Sequence, residues 1–399
     1  MWTKSPATFT FWERYLGAFD AVKVIARVEA VDAIDGSYHL VSGPNVSIYP
    51  VPHYVGLYQY ARLWSKVGQA VRGAIDPGDA LLLRVPGALA SRAVREFWRT
   101  SRPYGVEVVG DPWDVFAPGA VQQPLRPLLR FLVTQALKKQ CKRAAAASYV
   151  TARTLQRRYP SGSRNYGVSN VIFGQTGCPD LKRTFETHYS SFALEGADED
   201  IPGRPFVLGS EAKILFIGSL AQKYKGLDVL LQALAQVRQA GIPVQLSVIG
   251  DGRYRPEMET LALQLGLEGA VTFRGELPAG RPIRDELDRS TLLVVPSRTE
   301  GLPRVILEAM ARGTPCIASK VGGIPELLEE EDMVPPDDPP SLAAKIEEVI
   351  VSPERRRHMS ERNINRALDY RPEILQMRRE EFLAELKKRT EAWLRKRSG

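Results

Sequence analysis

Cysteine and histidine are scarce, with three and four residues in a chain of 399. Cys141, Cys178 and Cys316 lie far apart and none forms a Cys-x-x-Cys pair. That spacing argues against a disulfide framework and against a cysteine-built metal centre. His39, His53, His188 and His358 show no zinc-like spacing, and no Asp-x-Asp loop follows a strand-like run, so no bound metal is expected. There is no long uninterrupted apolar run and no charged start leading into one, which excludes a membrane-spanning helix and a signal peptide on sequence grounds. The expected compartment is therefore cytoplasmic and reducing. Without export, Asn45-Val46-Ser47 reads as a chance glycosylation match. No Gly-x-Gly-x-x-Gly turn follows an opening strand, which counts against dinucleotide oxidoreduction. Nor is there a strong charge bias: 54 Lys plus Arg against 46 Asp plus Glu leave +8. Such a surplus favours anionic partners such as nucleotide phosphates or acidic lipid, and does not single out nucleic acid.

What is present suits two α/β domains. Apolar residues make up 44% and charged residues 25%, ordinary for a folded chain too long for one core. In the second half, short apolar runs alternate with helical patterns. Lys213–Gly218, Val244–Gly250, Val271–Gly275, Leu292–Pro296 and Pro315–Ser319 read as strands. Leu227–Val237, Pro256–Leu265 and Pro303–Arg312 read as the intervening helices. This order predicts an open, mostly parallel sheet covered on both faces, with ligands at the carboxyl ends of its strands.

The first half is less regular. Phe19–Val28, Leu81–Val85 and Gly105–Val109 read as strands, Gly56–Ala70 and Ala90–Trp98 as helices, and Pro124–Ala147 as one long helix. Residues 1–15 read as loop and helix with no strand before them, so the expected opening strand of this domain is unusual or missing. Leu194–Gly209 reads as a linker. The division predicted is 1–200, an acceptor-side Rossmann-like domain lacking a usual first strand; 201–370, a second Rossmann-like domain; and 371–399, a helix packing back on the first.

The most informative stretch is Ser297-Arg-Thr-Glu300-Gly301-Leu302-Pro303 with Glu308 in the helix that follows. A buried strand delivers the loop, and Pro303 suits the first helical position. The amides of Gly301 and Leu302 then stand near a helix start, where free N–H groups attract oxyanions. Glu300 can reach sugar hydroxyls. Glu308 lies within an apolar run, where a carboxylate needs a partner, and a ribose diol is a natural one. Taken singly, each glutamate reads better as a solvated surface group, and it is the two together, eight apart around a helix start after a buried strand, that favour a site. Gly218 and Lys225 bracket a second strand-end turn able to hold a diphosphate, with Ser219 between them, whereas Lys223 reads as a solvated surface lysine. Gly250, ending a third strand, and Arg274, near the end of a fourth, complete the donor-side candidates. Asp251 reads as a loop-capping residue.

Residues 213–335 resemble the nucleotide-binding half of retaining glycosyltransferase family 4, of the bacterial glycan-biosynthesis type, which has the GT-B fold of two Rossmann-like domains facing across a cleft. The family's paired glutamates match Glu300 and Glu308, its diphosphate lysine matches Lys225, and its glycine-arginine-leucine turn matches Gly218-Ser219-Leu220 with serine replacing arginine. Arg253 and Arg298 are candidates to restore that charge. Gly322-Gly323-Ile324-Pro325-Glu326 also follows the pattern. The resemblance implies that Glu300 meets the donor sugar, Glu308 the ribose, and Gly301 and Leu302 the phosphate and sugar. It implies retaining transfer of a hexose from a UDP- or GDP-sugar, with no metal and no protein nucleophile.

On the acceptor side, relatives often carry a histidine where this chain has Gly110-Asp111. Asp111 is the acceptor-side choice, against its reading as a turn residue beside Pro112. Arg84 could meet an acceptor or a phosphate, and His53 reads as a surface residue. Leu125–Arg143 combines apolar Leu125, Leu128, Leu129, Leu132, Val133 and Ala136 with Arg126, Arg130, Lys138, Lys139, Lys142 and Arg143. It reads either as a helix lying on an anionic membrane or as a sheet-covering helix with a solvated basic edge. The resemblance implies a saccharide or polyprenyl- or lipid-linked acceptor and peripheral contact with the inner membrane face. A sugar-nucleotide epimerase of the same architecture and a non-catalytic nucleotide-sugar-binding subunit are the alternatives.

Overall fold

The computed structural model describes residues 1–3, 7–34, 36, 38–116, 125–162, 184–190 and 212–398. The expected linker 194–209 and Cys178 lie outside them. The first half contains β1 (Trp2–Thr3), α1 (Phe9–Glu13), β2 (Val22–Val28), β3 (His39–Leu40), β4 (Val46–Pro52), α2 (Gly56–Gly73), β5 (Leu82–Val85), α3 (Ala88–Thr100), β6 (Gly105–Val108), α4 (Pro112–Val115), α5 (Arg126–Arg143), β7 (Ala146–Tyr149), α6 (Thr154–Arg158) and β8 (Phe185–His188). The second contains β9 (Ala212–Ile217), α7 (Leu227–Gln239), β10 (Val244–Ile249), α8 (Arg255–Gln264), β11 (Val271–Gly275), α9 (Arg281–Arg289), β12 (Leu292–Val295), α10 (Arg304–Ala311), β13 (Cys316–Ser319), β14 (Met333–Val334), α11 (Pro339–Val351), α12 (Pro353–Ala367) and α13 (Pro372–Ser398).

In the second half the strands lie in the order β11-β10-β9-β12-β13-β14, all parallel. The chain starts in the middle with β9, steps outward through β10 and β11, then restarts on the other side at β12. The switch point, where such sheets bind ligands, lies between β9 and β12. Strands β12 and β13 are fully buried runs, Leu292–Val295 and Cys316–Ser319, because helices cover both faces. Leu230, Leu231 and Leu234 of α7 fill one face, and Ile306, Leu307 and Met310 of α10 the other.

The first half builds two parallel pieces, β2-β4 and β5-β6-β7-β8. The amino-terminal reading needs correction: Trp2–Thr3 is a strand, but it pairs antiparallel with β3 and joins neither parallel piece. The final helix returns to this half. Leu375, Phe382 and Leu386 of α13 are buried against Phe11, Tyr15 and Tyr189, and Lys387 Nζ donates to the Ala18 carbonyl at 3.0 Å. None of the described helices is long and apolar enough to cross a membrane.

Candidate functional site

Two strand ends meet at the switch point of the second sheet. Strand β9 ends at Ile217, just before Gly218, and β12 ends at Val295, followed by Pro296 and the loop that carries Glu300. Lys225 closes the short turn Lys223–Lys225, and its Nζ lies 2.7 Å from Glu300 Oε1. The same oxygen accepts from the Ser297 hydroxyl at 2.8 Å. Both charged side chains are largely shielded, Lys225 with 17% and Glu300 with 9% exposed. Burial alone would lower the Lys225 ammonium pKa, but Glu300, with Tyr224, outweighs it and the net shift is upward. The lysine therefore stays charged.

Close backbone approach holds this corner. A Cβ on Gly218 would sit 3.2 Å from Lys225 Cγ, so the lysine stem lies over the glycine. Gly250 has φ +133, and a Cβ there would fall 2.0 Å from the Gly218 carbonyl oxygen. It acts as packing behind the first turn. Ser219 Oγ accepts from the Ala221 amide at 3.2 Å and so braces its own turn. Gly322 has φ +54, and a Cβ there would meet the Glu300 carbonyl oxygen at 1.8 Å. The Gly323 amide donates to the Gly301 carbonyl at 2.7 Å. The Gly322-Gly323 segment thus forms the wall against which residues 300–302 are set.

Pro303 is the residue before the first turn of α10, and the helix begins at Arg304, one residue later than the sequence implied. No side chain caps this helix start. Pro303 itself has no amide hydrogen, and the Ile306 amide donates to the Pro303 carbonyl at 3.2 Å. Gly301 turns toward the first half of the chain: a Cβ on it would lie 3.7 Å from the Val109 carbonyl oxygen, just past β6. Leu302 packs at the edge of the core beneath that loop.

Other expected groups are engaged elsewhere. Glu308 is paired with Arg304 at 2.7 Å, so the partner its partly buried carboxylate requires comes from its own helix. Arg274 faces Glu286 of α9 at 3.5 Å. Arg298 chelates Asp228 at 2.8 and 3.0 Å and reaches Asp337 at 2.6 Å, which removes it as a replacement for the missing arginine. Arg253 stacks over the Tyr254 ring in the turn behind Gly218. Lys223 pairs with Glu257 at the surface, and Asp251 accepts from the Gly252 amide at 2.7 Å, so both take the plain roles their sequence context suggested.

Asp111 requires a correction. Its side chain is buried, accepts from the Trp113 amide at 2.9 Å as the cap of α4, and also meets Arg158 and the Tyr159 hydroxyl. Burial, then Asp111, pushes the Tyr159 phenol pKa far up. These partners occupy the carboxylate, which anchors the loop instead of opening toward an acceptor. Arg84 is likewise taken, by buried Glu107 at 2.5 Å. His53 lies at the surface beside Glu29.

Sequence reading did not single out the role of Glu326. It accepts from the backbone amides of Arg153 at 3.0 Å and Thr154 at 2.6 Å, and from that of Ala152. One carboxylate of the second half thereby caps the start of α6 in the first, joining the two across the cleft. Its place in the Gly-Gly-Ile-Pro-Glu pattern was the available signal. Among the described residues no group of three or more His, Cys, Asp or Glu could hold a metal ion.

Residues 211–352 match the family model described as Glycosyl transferases group 1. Protein CapJ of Staphylococcus aureus is 27% identical over 380 residues, which are 94% of this chain and 89% of that one. Sucrose-phosphate synthase from Thermosynechococcus elongatus shares the fold with a TM-score of 0.67 at 20% identity, covering 94% of this chain and 92% of that one. HepE from Anabaena, solved with UDP and glucose, gives a TM-score of 0.61 at 17% identity over 100% and 97% of the two chains.

Proposed function

We propose that this chain, whose residues 211–352 match the group 1 glycosyl transferases and whose two Rossmann-like domains have the GT-B fold, transfers a hexose, with retention, from a UDP- or GDP-sugar to a saccharide or lipid-linked glycan acceptor. The observation that carries the reading is the Lys225–Glu300–Ser297 cluster at the switch point between β9 and β12. In this reading residues 1–200 bind the acceptor, 201–370 the donor, and 371–399 tie the two together.

The donor diphosphate lies over the Gly218–Leu220 turn, held by Lys225 and by the uncapped amides at the start of α10. Glu300, oriented by Lys225 and Ser297, receives the sugar hydroxyls across from Gly301 and Leu302. Glu308 exchanges Arg304 for the ribose diol. Negative charge grows on the departing phosphate as the glycosidic bond breaks. A fixed lysine and helix-start dipoles stabilise that charge without reorganising. The acceptor attacks from the same face and gives its proton to the leaving phosphate. Arg253 supplies charge that Ser219 does not.

The membrane reading also gains support. On α5 and just before it, Leu125, Leu128, Phe131 and Leu132 are each more than half exposed, beside Arg126 and Arg130. The buried face of that helix is its later part, Thr134, Leu137, Gln140 and Cys141. An exposed apolar strip with flanking arginines suits an anionic bilayer surface and a lipid-linked acceptor.

The test is turnover of radiolabelled UDP- and GDP-hexoses over saccharide and polyprenyl-linked acceptors, with Glu300→Gln and Lys225→Ala as controls. Transfer abolished in both variants supports the proposal. Donor binding without turnover over the whole panel makes the protein a binding subunit. An epimerised sugar nucleotide released without acceptor makes it an epimerase. Failure of every UDP- and GDP-sugar to bind overturns the donor site.

A further inference from the structure

Arg304 and Glu308 hold each other on one face of α10, Nε to Oε1 at 2.7 Å, with 42% of the arginine and 21% of the glutamate side chain exposed. Three features make this a loose hold. The pair is partly open to solvent, where an ion pair four residues apart on a helix stabilises little. Its order is the less favourable one, with the cation amino-terminal to the carboxylate. And Arg304 is the first residue of α10, whose opening turn carries no acidic residue and no side-chain cap, so the helix dipole opposes a positive charge there.

The donor loops fix what lies beside this pair. Glu308 takes the ribose diol, and the diphosphate lies between Lys225 and the start of α10. Arg304 stands on the same face as Glu308, one turn nearer that start. Four residues rise about 6 Å along a helix, comparable to the reach from a ribose diol to the phosphates on its 5′ carbon. The diol is neutral, so when it replaces Arg304 on Glu308 a guanidinium is released as the phosphates arrive. Other cations around these loops are held by partners that a nucleotide does not displace: Arg298 by Asp228 and Asp337, Lys223 by Glu257, and Lys320 by Glu330. Lys225 is shared with Glu300.

Resting on that donor reading, we propose that Arg304 is a second diphosphate ligand, held on Glu308 until the ribose takes its place and releases it to the phosphates. The same arginine screens the ribose carboxylate against ligands that carry no phosphate. A nucleoside must displace the guanidinium without offering it a partner. A nucleoside diphosphate supplies both the diol that frees the guanidinium and the anion that receives it. The planar guanidinium meets two phosphate oxygens with parallel N–H bonds, and the anion also relieves the opposed helix dipole.

The test is titration of the 399-residue protein and its Arg304→Met, Arg304→Lys and Arg304→Gln variants with UDP and GDP, with the dideoxyribose form of whichever nucleotide binds, and with its nucleoside. Calorimetry reads the nucleotides, and ligand-observed NMR reads the nucleoside. Arg304→Met should weaken the nucleoside diphosphate by about tenfold or more, the effect of one charge-assisted contact. It should tighten the nucleoside by about twofold, the effect of the pair it removes. Opposite signs for the two ligands are a result that general damage to the site does not give. Removing the diol should cost the wild type about threefold more affinity than it costs Arg304→Met, because without a diol the guanidinium stays on Glu308. Arg304→Lys should recover most of the lost affinity and Arg304→Gln none, with thermal midpoints within about two degrees of wild type attesting to folding.

An unchanged nucleoside diphosphate affinity in Arg304→Met overturns the proposal. So does a loss shared equally by nucleoside and nucleotide, which makes Arg304 a shaper of the pocket, or a gain shared by both, which makes it a plug alone. Equal recovery by lysine and glutamine excludes the charge as the cause and overturns it too. In each of these outcomes the donor site stands. If the wild type binds neither UDP nor GDP, the donor reading itself falls, and this role of Arg304 falls with it.

Discussion

Lys225→Met retains most of the lysine's length and removes its charge, leaving Glu300 with the Ser297 hydroxyl as its nearest partner at 2.8 Å. At the 2.7 Å separation of the pair, an effective dielectric of about 20 gives a gross attraction of roughly 6 kcal/mol. Most of that is offset by the desolvation of two shielded charges. Removing one partner of a buried pair costs about 3–5 kcal/mol, because the other charge is stranded. With 9% of Glu300 and 17% of Lys225 exposed, the lower end applies, about 3 kcal/mol. For a domain of this size that corresponds to a fall in thermal midpoint of roughly 6–12 °C. Glu300→Gln should cost less, since the amide still accepts from Ser297. The double variant should fall short of the sum by about 1–2 kcal/mol. Calorimetry with UDP then separates the roles. Nucleotide at a hundred times its Kd stabilises by about 2.7 kcal/mol, a shift that Lys225→Met should lose and Glu300→Gln should keep. If Lys225→Met melts within about a degree of the parent and retains the full UDP shift, the pair is absent in solution and the phosphates bind elsewhere.

Gly322→Ala should weaken donor binding more than tenfold, because φ +54 and a contact of 1.8 Å to the Glu300 carbonyl force the donor loop to move; titration calorimetry with UDP reads this directly. Glu326→Gln should lower the interdomain coupling by about 2–4 kcal/mol, since the charge accepting from three backbone amides is lost, and one calorimetric transition should broaden or divide. His188 is held neutral by burial first and Arg378 second, its pKa lowered to about 4. The unfolded chain, titrating near 6.5, binds the proton first, so stability is complete above that pH and declines as pH falls through about 4. The loss reaches about 3 kcal/mol. Urea midpoints at pH 7 and 4.5 should show a smaller acid-side decline in His188→Gln.

The second sheet was legible in the sequence because its strands are buried on both faces and read as unbroken apolar runs. The runs at 213–218, 292–296 and 315–319 match β9, β12 and β13 to within a residue. Strand β4 was missed because Pro50 and Pro52 interrupt it, and an outer strand tolerates prolines that a central one does not. Strand β7 was absorbed into the preceding helix because Ala144 to Ala147 suits either state by composition. Pairing of ions was beyond pattern reading. Nothing in the spacing says that Arg158 would claim Asp111 or that Asp228 would claim Arg298, since each pair is separated by tens of residues. Lys225 and Glu300 were found together because both lie in loops that follow strands, and strand ends converge in this kind of sheet.

The return of α13 to the first half has a consequence for the order in which the protein can be made. Strand β7 is complete by Tyr149, yet Leu375, Phe382 and Leu386, which cover Phe11, Tyr15 and Ala146, belong to the last helix. At synthesis rates of about 5–20 residues per second, roughly 220 residues separate the two, a delay on the order of ten to forty-five seconds. During that interval the amino-terminal half carries an apolar face whose cover is still being translated. The second half, whose sheet and helices are contiguous from Ala212 to Ala367, can finish before the first. The domain synthesised first is then the one that matures last.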